Sequence, residues 1–232
     1  MQKMIEILCT RPLDATLIDE AKQAGIDIDE LSFIKTEPIQ SLAIRQEIEQ
    51  ALLLTAVVVF TSMNAVEAVV YYKEDNEPAW EIYCMGNTTM RLVSKYFGEE
   101  KIAGIANDAT ELAQRIAKKN STEEVIFFCG DQRRDELPAI LRSNGVYVNE
   151  IIVYQTVPMP HKISKAYHGM LFFSPSAVVS FFTHNNLPAT TIIFAIGNTT
   201  ANEIKKYSTN KIIISNEPGK EHLVREMMAY YN

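Results

Sequence analysis

The sequence predicts an α/β protein of two similar domains, each a five-stranded parallel sheet flanked by helices, joined by a two-segment extended linker. Three observations predict this. Apolar runs rich in β-branched and aromatic residues alternate with helical patterns from end to end, as strands buried on both faces require. One set of motifs occurs twice. A length of 232 residues suits two small cores better than one.

Taken along the chain, the first strand is expected near 3–9, ending on Ile7-Leu8-Cys9, and the second near 28–34 after Gly25. Ala56-Val57-Val58-Val59-Phe60-Thr61 gives a strand at 56–61, Trp80 to Met85 one at 80–85, and Ile102-Ala103-Gly104-Ile105 a short one at 102–105. Val125-Ile126-Phe127-Phe128-Cys129 places a strand at 124–129, and Tyr147 to Tyr154 another at 147–154. The last three lie near 169–174, 191–196 and 211–215. Helices fill most of the gaps, so strand and helix alternate as in βαβ units.

The internal repeat divides the chain. Val59-Phe60-Thr61-Ser62-Met63-Asn64-Ala65-Val66 resembles Leu171-Phe172-Phe173-Ser174-Pro175-Ser176-Ala177-Val178, with Ser62 and Ser174 offset by 112. Gly86-Asn87-Thr88-Thr89 recurs as Gly197-Asn198-Thr199-Thr200, offset by 111. A second register lays Cys9 on Cys129, Gly25 on Gly145, Thr36 on Thr156 and Pro38 on Pro158, all differing by 120. Both registers hold only if one domain is continuous, 39–157, and the other is assembled from both ends, 1–35 plus 161–232. Connectors then fall near 35–40 and 155–162, where Pro38, Pro158 and Pro160 suit extended chain. Chance likeness between short α/β units is the competing reading, and matched dipeptides in two consistent registers weigh against it.

Composition narrows the function. The formal net charge of -7, with no basic stripe, removes the counterion-release term on which nucleic-acid binding depends. No apolar run reaches bilayer length, and Met1-Gln2-Lys3-Met4 lacks a signal-peptide layout, so a cytoplasmic protein with no membrane contact is expected. Cys9, Cys84 and Cys129 each end an apolar run and read as buried thiols at strand ends rather than disulfides or ligands. In a cytoplasmic chain the Asn-x-Thr/Ser triplets at Asn87, Asn120 and Asn198 are not glycan acceptors. His161, His168, His184 and His222 show no ligand spacing and most of them read as solvated, so no metal is expected. Neither Gly-Asn-Thr-Thr segment has the lysine of a phosphate loop, and neither Gly-x-Gly-x-x-Gly nor Gly-x-Ser-x-Gly is present. Nucleotide binding is thus weakly supported.

Ligands of open α/β sheets bind beyond the carboxyl ends of the strands. There the sequence sets Thr10-Arg11-Pro12, Thr61-Ser62-Met63-Asn64, Gly86-Asn87-Thr88-Thr89, Gly130-Asp131-Gln132-Arg133-Arg134, Ser174-Pro175-Ser176 and Gly197-Asn198-Thr199-Thr200. Small and hydroxyl residues at strand-to-helix turns offer backbone N–H groups and a positive dipole end, which accept a carboxylate or phosphate without formal positive charge. Taken singly, each could be a helix cap and nothing more. Arg11 opens the first predicted helix, and Arg133 and Arg134 open another, as carboxylate clamps or as solvated first-turn arginines. In the offset of 120, Ile34 corresponds to Tyr154, so one strand enters its connector with a phenol, able to donate a proton where an aliphatic cannot. An amphipathic tyrosine at a domain boundary is the alternative.

These motifs resemble the uroporphyrinogen-III synthase family over nearly the whole chain. The likeness is strongest in Val58 to Val66, Gly86-Asn87-Thr88-Thr89, Phe128 to Pro138, Val153-Tyr154-Gln155-Thr156, Phe173 to Val178 and Ala195 to Ala201. Each motif alone is weak, whereas their order and spacing are specific. Met63 and Asn198 stand where the family often has proline. The resemblance implies a flavodoxin-like, HemD-like pair of domains with the active site between them, and a cofactor-free cyclising hydro-lyase. Its substrate would be hydroxymethylbilane, which carries eight carboxylates. It would lose its hydroxyl and close into uroporphyrinogen III with the terminal pyrrole ring inverted. Residue by residue, Tyr154 is implied as the acid. Arg11, Thr61, Ser62, Asn64, Thr88, Thr89, Gly130, Arg133, Ser174, Ser176, Asn198, Thr199 and Thr200 are expected on the substrate side. A monomer is expected, in transient contact with the preceding pathway enzyme. The alternative class is a non-catalytic two-domain binding or sensor module for a polyanionic small molecule.

Overall fold

The computed structural model describes residues 4–119, 122–217 and 219–232; Asn120, one of the three triplet positions, lies outside them. In chain order the amino-terminal elements are β1 (Ile5–Cys9), α1 (Ala15–Gln23), β2 (Ile26–Glu30) and β3 (Ile34–Pro38). There follow α2 (Leu42–Leu52), β4 (Ala56–Phe60), α3 (Met63–Lys73), β5 (Trp80–Met85), α4 (Thr88–Phe97) and, after a 3-10 turn at Glu99–Lys101, β6 (Ile102–Ala106). Next come α5 (Ala109–Ala117), β7 (Glu124–Gly130), α6 (Glu136–Ser143) and β8 (Tyr147–Pro158). The chain ends with β9 (Gly169–Phe172), α7 (Pro175–Phe182), β10 (Ile192–Ala195), α8 (Asn198–Ile204), β11 (Ile212–Ile214) and α9 (Lys220–Tyr231). Two compact units result: residues 1–35 with 157–232, and residues 36–156.

In the discontinuous unit the sheet order is β11-β10-β9-β1-β2, with parallel pairing throughout. Its inner strands are short and apolar on both faces because helices cover both. Leu223, Val224 and Met227 of α9 pack with Ile7, Leu171 and Phe194. Ala177, Val178 and Phe181 of α7 pack with Leu8, Phe172 and Ile193. Pro175 starts α7, where its missing N–H costs no helical bond.

The continuous unit has the order β3-β8-β7-β4-β5-β6, with β4 through β8 paired in parallel. One face carries Phe60, Trp80 and Phe128 under α2, α3 and α4, and Phe97 of α4 packs onto them. The other carries Val59 and Phe127 under Leu112 and Ile116 of α5 and Leu137 and Leu141 of α6.

The α/β architecture with parallel sheets is as expected, but this second sheet has six strands rather than five. The sixth, β3, is polar and ends on Pro38, so it carries no apolar run to betray it. It forms because the outer edge of β8 leaves backbone groups to be paired, and a terminal proline is tolerated there. The expected strand at 28–34 is accordingly two elements. β2 stops at Glu30, and Phe33, fully buried in the α7 face of the first core, turns the chain before β3 begins.

The offset of 120 is real at the turns. Gly25 and Gly145 close α1 and α6 with φ of 74° and 79°, the left-handed C′ position that glycine fills without steric cost. It does not hold across the ladders. Ile5 pairs Ile26, a separation of 21, whereas Val125 pairs Val148, a separation of 23.

All three cysteines are buried and unbridged. Burial pushes the Cys9 thiol up to about 12, and Cys84 and Cys129 to about 11. At pH 8 the thiolate fraction of a group near 11 is on the order of 10⁻³. Native protein is therefore expected to resist iodoacetamide for an hour while the denatured chain takes up three equivalents; rapid single-site labelling of the native state would contradict the burial.

Candidate functional site

Because the ladders are parallel, each unit delivers the carboxyl ends of its strands to one edge of its sheet. In the continuous unit that edge gathers Thr61, Ser62, Asn64, Thr88, Thr89, Gly130, Arg133 and Tyr154. In the discontinuous unit it gathers Arg11, Ser174, Ser176, Asn198, Thr199 and Thr200.

The serines act as caps. Ser62 Oγ accepts from the Asn64 N–H at 3.2 Å, and Ser174 Oγ accepts from the Ala177 N–H at 3.2 Å and from Ser176 Oγ at 3.4 Å. The two Gly-Asn-Thr-Thr turns are built differently: neither Asn87 before α4 nor Gly197 before α8 makes a side-chain cap bond. Their first-turn N–H groups therefore have no capping side chain, which is what an anion site needs. Asn87 is also held at φ 61°, ψ -124°, a region sparsely populated by residues with a Cβ and enriched at functional sites. The repeats agree in exposure: Thr88 and Thr199 are exposed, Thr89 and Thr200 buried. The last two thus pack beneath their helices rather than on the surface of the edge.

The arginines require correction. Arg11 does not open a helix; α1 begins at Ala15 after Asp14, and Arg11 is exposed in the preceding loop, its carbonyl accepting from Cys9 Sγ at 2.9 Å. Likewise α6 begins at Glu136, so Arg133 and Arg134 lie in the loop before it. Arg133 bonds Asp135 through Nη1 at 2.5 Å and pairs with Glu150 through Nε. Glu150 is held from its other side by Arg142 Nη2 at 2.5 Å. Most of the Arg133 fork is therefore committed within its own unit. Exposed Arg134 instead lines a recess of about 330 Å³ with Asp108, Thr110, Glu111 and Glu136.

Three histidines are not simply solvated. His168 Nδ1 accepts from the Glu6 N–H at 3.0 Å, His161 meets Phe33 edge-on, and His222 pairs with Glu226 at 3.2 Å. Among the described residues no cluster of three His, Cys, Asp or Glu could hold a metal ion, and no helix is long and apolar enough to cross a membrane.

Tyr154 is half-buried and packs against the aromatic core of its unit. Its place is set by a bulge: Cys129 pairs Ile152, but the next residue, Gly130, pairs Tyr154. The Tyr154 carbonyl accepts from the Asp131 N–H at 3.1 Å, and Asp131 Oδ1 accepts from the Thr156 N–H at 2.9 Å. Ile34, equated with Tyr154 by the repeat, instead starts β3 on the outer side of β8; the shifted ladder undoes that equivalence. Nothing in the sequence marks Asp131 as a structural link, since only the fold brings its carboxylate to β8.

Residues 15–225 match the family model described as uroporphyrinogen-III synthase HemD. The chain belongs to the uroporphyrinogen-III synthase family. Solved structures agree on the fold. The uroporphyrinogen-III synthetase of Helicobacter pylori 26695 is 16% identical, aligned over 98% of this chain and 100% of its own with a TM-score of 0.68. A mutant uroporphyrinogen III synthase of the extremely thermophilic bacterium Thermus thermophilus is 12% identical, over 98% and 97%, with a TM-score of 0.60. Membership in this synthase family supports uroporphyrinogen-III synthase, an enzyme of haem biosynthesis, as the function, and does not favour a non-catalytic binding or sensor module.

Proposed function

We propose that this chain is a cofactor-free, cyclising hydro-lyase that converts hydroxymethylbilane to uroporphyrinogen III. Tyr154 donates its phenolic proton to the departing hydroxyl, which leaves as water. The terminal ring then attacks the methylene carbon so vacated through its own substituted carbon, and the resulting spiro intermediate reopens and recloses with that ring inverted, the closing ring carbon releasing the proton that restores the phenol. A phenol can donate a proton to a leaving hydroxyl where an aliphatic side chain cannot. Holding the ends of the bilane together supplies several kcal/mol through lost freedom alone, so few side chains are individually indispensable.

The substrate carboxylates are held by the first-turn N–H groups of α4 and α8, with Thr88, Asn198 and Thr199 beside them. Arg11, Thr61, Asn64 and Ser176 add polar contacts, and Ser62 and Ser174 shape the turns they cap. Local donors of this kind suit a polyanionic ligand on a chain of net charge -7 better than a general field could. The protein is proposed to act in the cytoplasm as a monomer, taking its unstable substrate in transient contact with the enzyme that makes it.

The observation that carries this reading is the family match, which begins in one unit, spans the other and returns. Its test is the isomer formed. Hydroxymethylbilane closes spontaneously without inversion, so products made with and without the protein are oxidised to porphyrins and separated. The inverted isomer is expected to dominate only with the protein present; the uninverted isomer alone in both would end the enzymatic reading.

A further inference from the structure

We infer that Gly130 is a positioning residue for Tyr154, its missing side chain being the seat on which the hydroxyl-bearing end of the phenol rests. This builds on the proton-donor role proposed for Tyr154. A Cβ at position 130 would stand 2.3 Å from Tyr154 Cζ, 2.5 Å from Cε2 and 2.7 Å from the hydroxyl oxygen. All three are far inside van der Waals contact, so the far edge of the ring lies directly on the Gly130 Cα.

Backbone conformation does not explain this glycine. The positive-φ glycines are Gly25, Gly98, Gly145 and Gly219, and Gly130 is not among them, so any L-residue could adopt its backbone. Nor does a strand end of this type require glycine. Thr10, offset by 120 from Gly130 at the end of β1, is buried with its hydroxyl donating to the Leu171 carbonyl at 2.7 Å. Space for the ring is the remaining reason.

The surrounding backbone fixes the same residue from a second direction. The bulge that sets Gly130 opposite Tyr154 is closed by the Asp131 N–H to Tyr154 carbonyl bond and by Asp131 Oδ1 on the Thr156 N–H. The Tyr154 main chain is thus tied to the residue after Gly130 while its ring lies on Gly130 itself. An alanine would force the ring end outward by more than about 1 Å to restore normal contact. A displacement of about 1 Å at a reacting group can cost on the order of 10²-fold in rate.

The experiment compares Gly130→Ala, Tyr154→Phe, the double variant G130A/Y154F, and G130A in a Tyr154→Ala background, on the full-length protein. Turnover to the inverted isomer is expected to fall about 10²-fold in Gly130→Ala, with KM within about threefold, and G130A/Y154F should be no slower than Tyr154→Phe alone. With 3-fluorotyrosine in place of the ten tyrosines, the fluorine resonance missing from Tyr154→Phe should be the one that moves in Gly130→Ala. Stability provides the control for folding: Gly130→Ala should cost little once the ring is removed by Tyr154→Ala. Normal turnover in Gly130→Ala, losses that multiply in the double variant, or equal destabilisation with and without the ring would each overturn the positioning role. Normal turnover in Tyr154→Phe would instead remove the proton-donor role, and the positioning role with it.

Discussion

Tyr154→Phe is expected to lower the rate of inverted-isomer formation about 10²-fold, the lower range for loss of a general acid, while changing KM little. Only the hydroxyl is removed. The ring remains to pack against the aromatic core and to lie on Gly130, so stability should stay within about 1 kcal/mol, as for a substitution that leaves packing intact. A fall in turnover without a matching fall in affinity marks a group that acts mainly in the transition state. Equal falls in both would point to binding alone and would revive the non-catalytic module. Because spontaneous closure continues without help, the variant should also yield a larger share of uninverted product, an internal reference free of errors in protein concentration.

The strands were legible because each inner strand is a short block of β-branched and aromatic residues, and burial on both faces leaves such blocks little else to be. β3 was not, since Lys35-Thr36-Glu37-Pro38 forms a strand only because the edge of β8 is there to pair with it. The site was legible as a set of turns but not as chemistry within each turn. Ser62 and Ser174 look the same as ligand contacts or caps until the N–H they accept from is seen, and they prove to be caps. At Gly197 the missing side chain already rules out such a cap, whereas Asn87 could cap by residue type and does not. Arg133 and Arg134 are adjacent and equivalent on paper; Glu150, far along the chain on β8, takes Arg133 and leaves Arg134 exposed. Register was the hardest feature. A repeat offset of 120 holds through two glycine turns, then slips by two residues where Val125 pairs Val148, and a bulge after Cys129 adds one more, a backbone event that no residue type announces.

Phe128→Ala is expected to destabilise the protein by about 3–5 kcal/mol, the usual loss for a buried phenylalanine truncated to a methyl. Its ring is fully buried, stacked on Phe60 at 5.4 Å and tilted against Trp80 at 5.7 Å. Phe97 closes the group at 6.0 Å from Phe60 and 5.5 Å from Trp80. Rings so interlocked cannot collapse into the void, so the cavity penalty adds to the transfer loss. Set against a typical total of about 5–15 kcal/mol, this is a large fraction, and it should appear as a lower urea midpoint with an unchanged slope. A loss below about 1 kcal/mol would mean that the layer repacks freely, contrary to the density of protein interiors. The consequence for activity follows from the same cluster. Tyr154 packs against these residues, and Phe128 precedes Gly130 by two positions on β7, so a void at 128 loosens the phenol from below as an alanine at 130 would lift it from beside. Turnover of the variant should therefore fall even at temperatures where it remains fully folded. Wild-type turnover in a folded but weakened Phe128→Ala protein would show that the bulge and the Gly130 seat hold Tyr154 without help from the core.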